Sequence, residues 1–399
     1  MSMPTRRGAM DLDFSALDAF LDETDHDGYL VEADSENSDQ YYLSGFDAPD
    51  PFVTLYDGEV HLLFARSLEF ARAKRESRAA SVERYVDFDR AAYVDEHGRE
   101  AAPSYVLRDF LAAHDVESVA VPPRFPLAVA DGLRDRGVEV APDRGDTVAA
   151  IRATKTDTEI DHVRAAQRAN EAAMAAAEDL IAGADVYDGT LYHEGDPLTS
   201  EAIKTEIEVT LLRHGCALDE TIVACGSDAA DPHERGSGPI VTGEPVIVDI
   251  FPQDKETKYH ADMTRTFCRG EPDETVREWF ELTDEAMAAA LVAVEPGVTG
   301  EAVHDAACDV YEAAGLPTLR ADESAETGFI HSTGHGVGLD VHELPHVSPG
   351  GEELRPGHVI TIEPGLYDPE VGGVRIEDIV VVTEDGYENF TSYPVELVV

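Results

Sequence analysis

The spacing of apolar and polar residues divides the chain into a mixed first part and a second part that repeats itself. Apolar residues at helical spacing run from Phe14 to Leu21 and predict a short helix. From Pro51 to Phe64 the period shortens to two around Asp57-Gly58, a strong turn dipeptide, and predicts a β-hairpin. Between Asp143 and Thr158 the sequence turns polar, and the capping-box spacing of Thr156 and Glu159 then opens a long helix. A domain boundary falls there, giving an α/β domain over residues 1–150 and a second domain over 151–399.

In the second domain a helix from Glu159 to about Ile181 precedes one from Ser200 to His214, stopped by Gly215. The strands Val246 to Phe251 and Ala261 to Phe267 follow. A second series has the same order, with helices Glu274 to about Val294 and Glu301 to Ala314, stopped by Gly315, then strands Val359 to Leu366 and Gly373 to Val382. The first strand pair carries Asp249 and Asp262, the second Glu363 and Glu377, and the offsets between matching acids differ by only one residue. An unpaired carboxylate inside such apolar strands costs several kcal/mol. Arg265 and Arg375 cannot neutralise all four. The repeat therefore predicts a pseudo-two-fold α/β (α+β) domain with four acids converging at its centre.

Histidine changes this picture. His331, His335, His342 and His346 fall within one glycine-rich stretch, "HSTGHGVGLDVHELPH", whose glycines let backbone approach closely. Imidazole with several carboxylates suits divalent manganese, cobalt, zinc or iron, and carboxylate-rich sites commonly hold two such ions. The literal His-Glu-x-x-His of "HELPH" is not read as a zincin site, because that mechanism places both histidines one turn apart on a helix and Pro345 opposes helix there. "GSGPIVTGEP" has no basic residue and no Lys-Ser/Thr ending, so it is a poor phosphate loop.

The bulk composition narrows the function classes. There are 82 acidic against 30 basic residues, a formal net charge of −52, and only five lysines. That charge excludes nucleic acid as a partner, because phosphate recognition needs basic surface. It fits a folded protein of a salt-rich cytoplasm. No apolar run is long enough to span a bilayer, and the segment from Met1 to Arg7 lacks the apolar core of a signal peptide, so a cytoplasmic location without membrane contact is expected. Cys216, Cys225, Cys268 and Cys308 show no disulfide or zinc spacing and are expected to be reduced and mostly buried.

These residues resemble the pita-bread metallopeptidases, which include prolidase, aminopeptidase P, methionine aminopeptidase and the metal-free creatinase. The resemblance spans the chain and implies a creatinase/prolidase-like amino-terminal domain before the pita-bread catalytic domain. It implies that Asp249, Asp262, His335, Glu363 and Glu377 hold two divalent metal ions, with manganese or cobalt preferred and zinc or iron as alternatives. It further implies that Glu363 shuttles the proton while His233, in "DPHERG", and His342, in "VHE", support the tetrahedral intermediate. His331 and Arg375, in "GGVRIED", match residues of the proline-specific branch and are the candidate substrate-binding pair. Asp249 and Asp262 are separated by two residues more than is usual in the family. An even change keeps both side chains on one face, so its effect should fall on substrate preference.

The implied activity is hydrolysis of the N-terminal Xaa-Pro bond of peptides, as an Xaa-Pro aminopeptidase or dipeptidase, by a homodimer. The alternatives are a pita-bread protein that binds peptides without cleaving them, a general aminopeptidase, and a creatinase-like C–N hydrolase without metal.

The charge yields a test of its own. At about 1 M salt the Debye length is roughly 3 Å, and the mutual repulsion of this surface is screened. The melting temperature should therefore fall when potassium chloride is lowered from molar to millimolar, and a constant value would contradict this reading.

Overall fold

The computed structural model describes residues 12–399; the segment from Met1 to Arg7 lies outside them. The chain divides into two compact units, Met1–Arg152 and Ala153–Val399. Among the described residues no helix is long and apolar enough to cross a membrane.

The first unit is built on a six-stranded mixed sheet of β1 (Gly28–Ala33), β2 (Phe52–Tyr56), β3 (Val60–Phe64), β4 (Ser81–Arg84), β5 (Ser118–Val121) and β6 (Glu139–Pro142). Its order is β4-β3-β2-β1-β5-β6. The hairpin expected around Asp57-Gly58 is β2 with β3, paired from Tyr56 opposite Val60, and Gly58 takes the positive φ of +102° that its turn requires. The first helix runs Ser15–Thr24, slightly beyond its predicted end. Leu30, Val53, Leu55, Leu63, Phe110 and Leu111 lie at the centre of a core between sheet and helices.

In the second unit the repeat is visible in three dimensions. Helix Asp157–Ala182 begins at Thr156, whose hydroxyl accepts from Glu159 N–H while the Glu159 carboxylate accepts from Thr156 N–H at 2.7 Å. Helices Ser200–Arg213 and Gly300–Ala313 start on matching threonines, Thr199 and Thr299, each accepting an N–H at 3.2 Å. Both are followed by glycines of positive φ, Gly215 and Gly315. The first helix pair packs on a three-stranded antiparallel sheet of β7 (Ile222–Cys225), β8 (Val246–Ile250) and β9 (Met263–Phe267) through a core that includes Met174, Ile207, Val248 and Phe267. The second pair, Glu274–Ala293 and Gly300–Ala313, encloses its own core with Tyr311, Phe329, Ile360 and Val380.

The strands of the second half differ from their predicted spans in a way that matters for the centre. They are β10 (Gly334–Gly336), β11 (Glu343–Val347), β12 (Val359–Ile362), β13 (Gly365–Asp368), β14 (Gly372–Arg375), β15 (Asp378–Thr383) and β16 (Gly386–Asn389). The two long strands expected here are each broken, at Glu363-Pro364 and at Ile376-Glu377. Pairing passes from β12–β15, ending at Ile362 opposite Asp378, to a separate β13–β14 ladder beginning at Gly365 opposite Arg375. Pro364 has no N–H for a ladder. Asp262 likewise precedes β9 by one residue, so Asp249 is the one acid of the four inside a strand. Breaks turn the backbone so that side chains from different ladders face one point.

In "HELPH" the residues from Glu343 onward lie in strand β11, not in a helix, and His346 is exposed and faces Glu352 at 3.2 Å. The long connection after Asp249 closes on itself: Asp254 N–H donates to Tyr259 O at 2.9 Å, and Asp254 Oδ1 accepts from Thr257 N–H at 2.7 Å.

Gly334 and Gly336 flank His335 on β10 because neighbouring backbone leaves no room for a side chain. A Cβ on Gly334 would lie 2.0 Å from Thr361 O, and one on Gly336 2.1 Å from Leu344 O. Gly334→Ala should force β10 from β12 and destabilise the fold by ~1–3 kcal/mol. The measurement is a denaturant midpoint against wild type, and an unchanged midpoint would refute the packing argument.

Candidate metal centre

The strand order brings Asp249, Asp262, His335, Glu363 and Glu377 to one place in the second unit. Ligand atoms of Asp262, His335 and Glu377 lie within 4.8 Å of one another. His335 Nε2 is 3.2 Å from Glu363 Oε1 and 3.8 Å from Asp262 Oδ2. Its other ring nitrogen faces Gly336 O at 3.1 Å, which orients Nε2 toward the acids.

Asp249 holds its position on β8 through Arg375, whose Nη2 donates to Oδ2 at 2.6 Å. The remaining Arg375 donors go to protein as well: Nη1 to Tyr367 Oη at 2.9 Å and Nε to Thr264 Oγ1 at 3.2 Å. Thr264 donates in turn to Glu377 Oε2 at 2.7 Å. Arg265 turns away and pairs with Asp378 at 2.9 Å. One guanidinium thus serves the whole acid cluster. Asp249 Oδ1 and Glu377 Oε1 are buried and have no hydrogen-bond partner.

The electrostatics follow from that shortage of cations. Burial pushes Asp249 upward despite Arg375 beside it. Burial and the neighbouring Asp249 charge hold Asp262 well above the carboxylate range, and burial with Asp262 and Glu363 does the same to Glu377. Burial also works against ionisation of Glu363, but the hydrogen bond and charge of His335 win and bring it down to about 2. His335 is the mirror case: burial disfavours its charge, while Glu363 and Asp262 raise it to about 9. In the bare chain the cluster takes up positive charge wherever it can.

The other expected residues surround this cluster. His331 is half-buried, with Nδ1 on Ser332 O at 2.7 Å and Nε2 on Tyr367 Oη at 3.0 Å, and burial lowers it to about 4. His342 is exposed, its ring centroid 4.2 Å from that of His335. His233 is exposed and near enough for its charge to act on both His331 and His342.

Three participants carry no metal-ligand chemistry and escape a search for acids and imidazoles. Thr264 bridges Arg375 and Glu377. Thr361 Oγ1 accepts from His335 N–H and donates to Glu363 Oε1, both at 3.0 Å. Tyr367 joins His331 to Arg375. The threonines had a signal, since each stands two residues from an acid in sequence that reads as strand, a spacing that predicts a shared face. Tyr367 had none.

Residues 14–154 match the creatinase/prolidase N-terminal domain, and residues 161–384 match metallopeptidase family M24. An Xaa-Pro dipeptidase of Pyrococcus horikoshii is 29% identical over 383 residues, covering 95% of this chain and 96% of that one. A probable dipeptidase PepE of Mycobacterium tuberculosis is 37% identical over 258 residues, 64% of this chain and 62% of that protein. The crystal structure of the prolidase from Pyrococcus horikoshii superimposes with a TM-score of 0.77 at 27% identity, covering 96% of this chain and 99% of that one. The fold agrees with these matches, the M24 match covers more than half of the chain, and the chain belongs to metallopeptidase family M24.

Proposed function

We propose that this chain hydrolyses the peptide bond between an N-terminal residue and a following proline. The observation that carries this reading is the convergence of four carboxylates and one imidazole on a point served by a single arginine, in a metallopeptidase fold. The donors fit divalent metal. Two buried carboxylate oxygens, Asp249 Oδ1 and Glu377 Oε1, lack any partner, and the set of oxygens with one nitrogen suits manganese, cobalt, zinc or iron. Asp249, Asp262, His335, Glu363 and Glu377 are the residues that would hold two ions. Such ions supply Lewis acidity toward the scissile carbonyl and a hydrolytic nucleophile at neutral pH.

The chain's own residues do the rest. Glu363, held ionised, accepts a proton at its carboxylate and returns it to the leaving amine. His233 and His342, both exposed, would support a developing oxyanion. Arg375 holds Asp249 in position, and Tyr367 links Arg375 to His331, so the proposed proline-facing pair is one hydrogen-bonded unit. An Xaa-Pro bond has no N–H, and a site that acts on the carbonyl does not need one.

Metal removal supplies one test. In the stripped chain His335 binds its proton more tightly folded than unfolded, with about 9 against an ordinary 6.5. That stabilisation is complete below the unfolded value and is lost as pH rises through the folded one. The raised Asp262 and Glu377 act in the same direction. Between about pH 7 and about pH 9.5 the stripped chain should lose on the order of 2–3 kcal/mol, and added divalent ion should flatten the slope. Thermal melts across that window check it, and a stability that rises with pH in the stripped chain would sink the charge argument.

Substrate choice supplies the other. After reconstitution with manganese or cobalt, Xaa-Pro peptides should exceed Xaa-Ala counterparts at least about tenfold in kcat/KM, or about 1.4 kcal/mol in the transition state. Asp262→Asn should abolish turnover and His346→Ala should leave it unchanged. Equal rates on the two peptide series would make the enzyme a general aminopeptidase, and a length series from dipeptide upward separates dipeptidase from aminopeptidase.

A further inference from the structure

The amino-terminal unit holds a second cluster of imidazoles and carboxylates, for which the peptidase reading has no use. Asp57 stands in the β2–β3 turn, and His61 on β3 is only 7% exposed. Ser81 is the register partner of His61 on the parallel strand β4, with Glu83 two residues farther on. His114 follows the end of helix Ala102–Ala113, and its ring centroid lies 4.0 Å from that of His61.

Hydrogen-bond polarity determines what this cluster needs. Ser81 Oγ is 2.8 Å from Glu83 Oε1 and 3.0 Å from His61 Nδ1. An ionised carboxylate only accepts, so the Ser81 hydroxyl donates to Glu83 and accepts the Nδ1–H of His61. Neutral His61 then presents the bare lone pair of Nε2 to Asp57 Oδ1 at 3.0 Å, an oxygen that also accepts from Glu59 N–H. Two acceptors at that distance repel unless a cation lies between them. His114 directs Nε2 to the same Glu83 oxygen at 3.0 Å, which leaves Nδ1 as its bare nitrogen.

A proton between Asp57 and His61 would satisfy those two groups alone. The third donor argues for more: ligand atoms of Asp57, His61 and His114 all lie within 4.8 Å of one another. Ser81 behind His61 and Glu83 behind His114 are the outer partners that fix metal-ligating imidazoles in the correct tautomer. A tetrahedral zinc with bonds of about 2.0–2.1 Å places its donors about 3.3 Å apart, close to the observed Asp57–His61 separation. We propose that Asp57, His61 and His114 bind one divalent transition ion of the zinc type in the amino-terminal unit, with Ser81 and Glu83 orienting the two imidazoles.

The test uses the full chain, stripped with chelator and kept in molar potassium chloride so that the acidic surface does not collect ions. Micromolar zinc should slow modification of His114 by diethylpyrocarbonate roughly tenfold, read by peptide mass spectrometry, and magnesium should not. His114→Gln and Asp57→Asn should each bind about one zinc ion fewer per chain than wild type while cleaving Xaa-Pro peptides at the wild-type rate. Unprotected His114 would overturn the proposal and assign the cation between Asp57 and His61 to a proton. Equal zinc content in folded variants would overturn it too. If both variants misfold, the wild-type protection decides. Because the readouts are metal content and labelling at His114, failure of the peptidase reading leaves this result intact.

Discussion

Negative charge without enough positive charge to meet it is the constraint on which the second unit turns. Four carboxylates converge where the protein supplies one guanidinium, and bare ions in such surroundings would each cost several kcal/mol. The cluster responds by holding protons on some acids, pairing Glu363 with a charged His335, and sharing Arg375 among Asp249, Thr264, Tyr367 and Pro232 O. This arrangement is incomplete by itself, as the unpartnered oxygens of Asp249 and Glu377 show. Divalent cations, held as proposed, would complete it, and the feature that strains the bare fold would then be the one that equips it for hydrolysis.

The same constraint explains where the sheets stop being regular. A carboxylate on a continuous strand points along the face normal, and four of them cannot aim at one point from two flat ladders. Interrupting the strands at Glu363-Pro364 and Ile376-Glu377 frees those side chains to turn inward, while Glu363 N–H donates to Thr333 O and Glu377 N–H to Thr264 O in place of the interrupted ladders. Of the glycines flanking His335, Gly334 lets β10 approach β12 and Gly336 lets it approach β11, which holds the imidazole beside the acids.

Much of this was legible in the sequence, and the reason differs from residue to residue. Capping at Thr156, the glycine stops at 215 and 315, and the Asp57-Gly58 turn are local chemistry and appear as read. The convergence of Asp249, Asp262, Glu363 and Glu377 was legible because the repeat supplied long-range information that a single strand cannot, whereas His335 was singled out from its histidine-rich stretch by the family resemblance. The strand breaks were not: Val359 to Ile362 is β-branched throughout and carries the strand pattern onward, and the change of pairing partner shows that the ladder ends where Glu363 and Pro364 follow. Tyr367 was hidden for a similar reason, since its role depends on Arg375 and His331, which meet it only in the folded state. The tautomers of His61 and His114 are set by Ser81 and Glu83 on a different strand, so no spacing rule could have exposed that cluster.

The bond between Arg375 and Asp249 joins residues from opposite halves of the duplicated domain, 126 positions apart in the chain. During synthesis the first half, with its own core, emerges long before its counter-ion does. At about 5–20 residues per second, Asp249 waits on the order of 6–25 s for Arg375 to leave the ribosome. Through that interval its carboxylate must stay hydrated or protonated, so β8 cannot be sealed into its final surroundings. The point where the four acids converge is thus a part of the first half that is completed only when translation is almost finished.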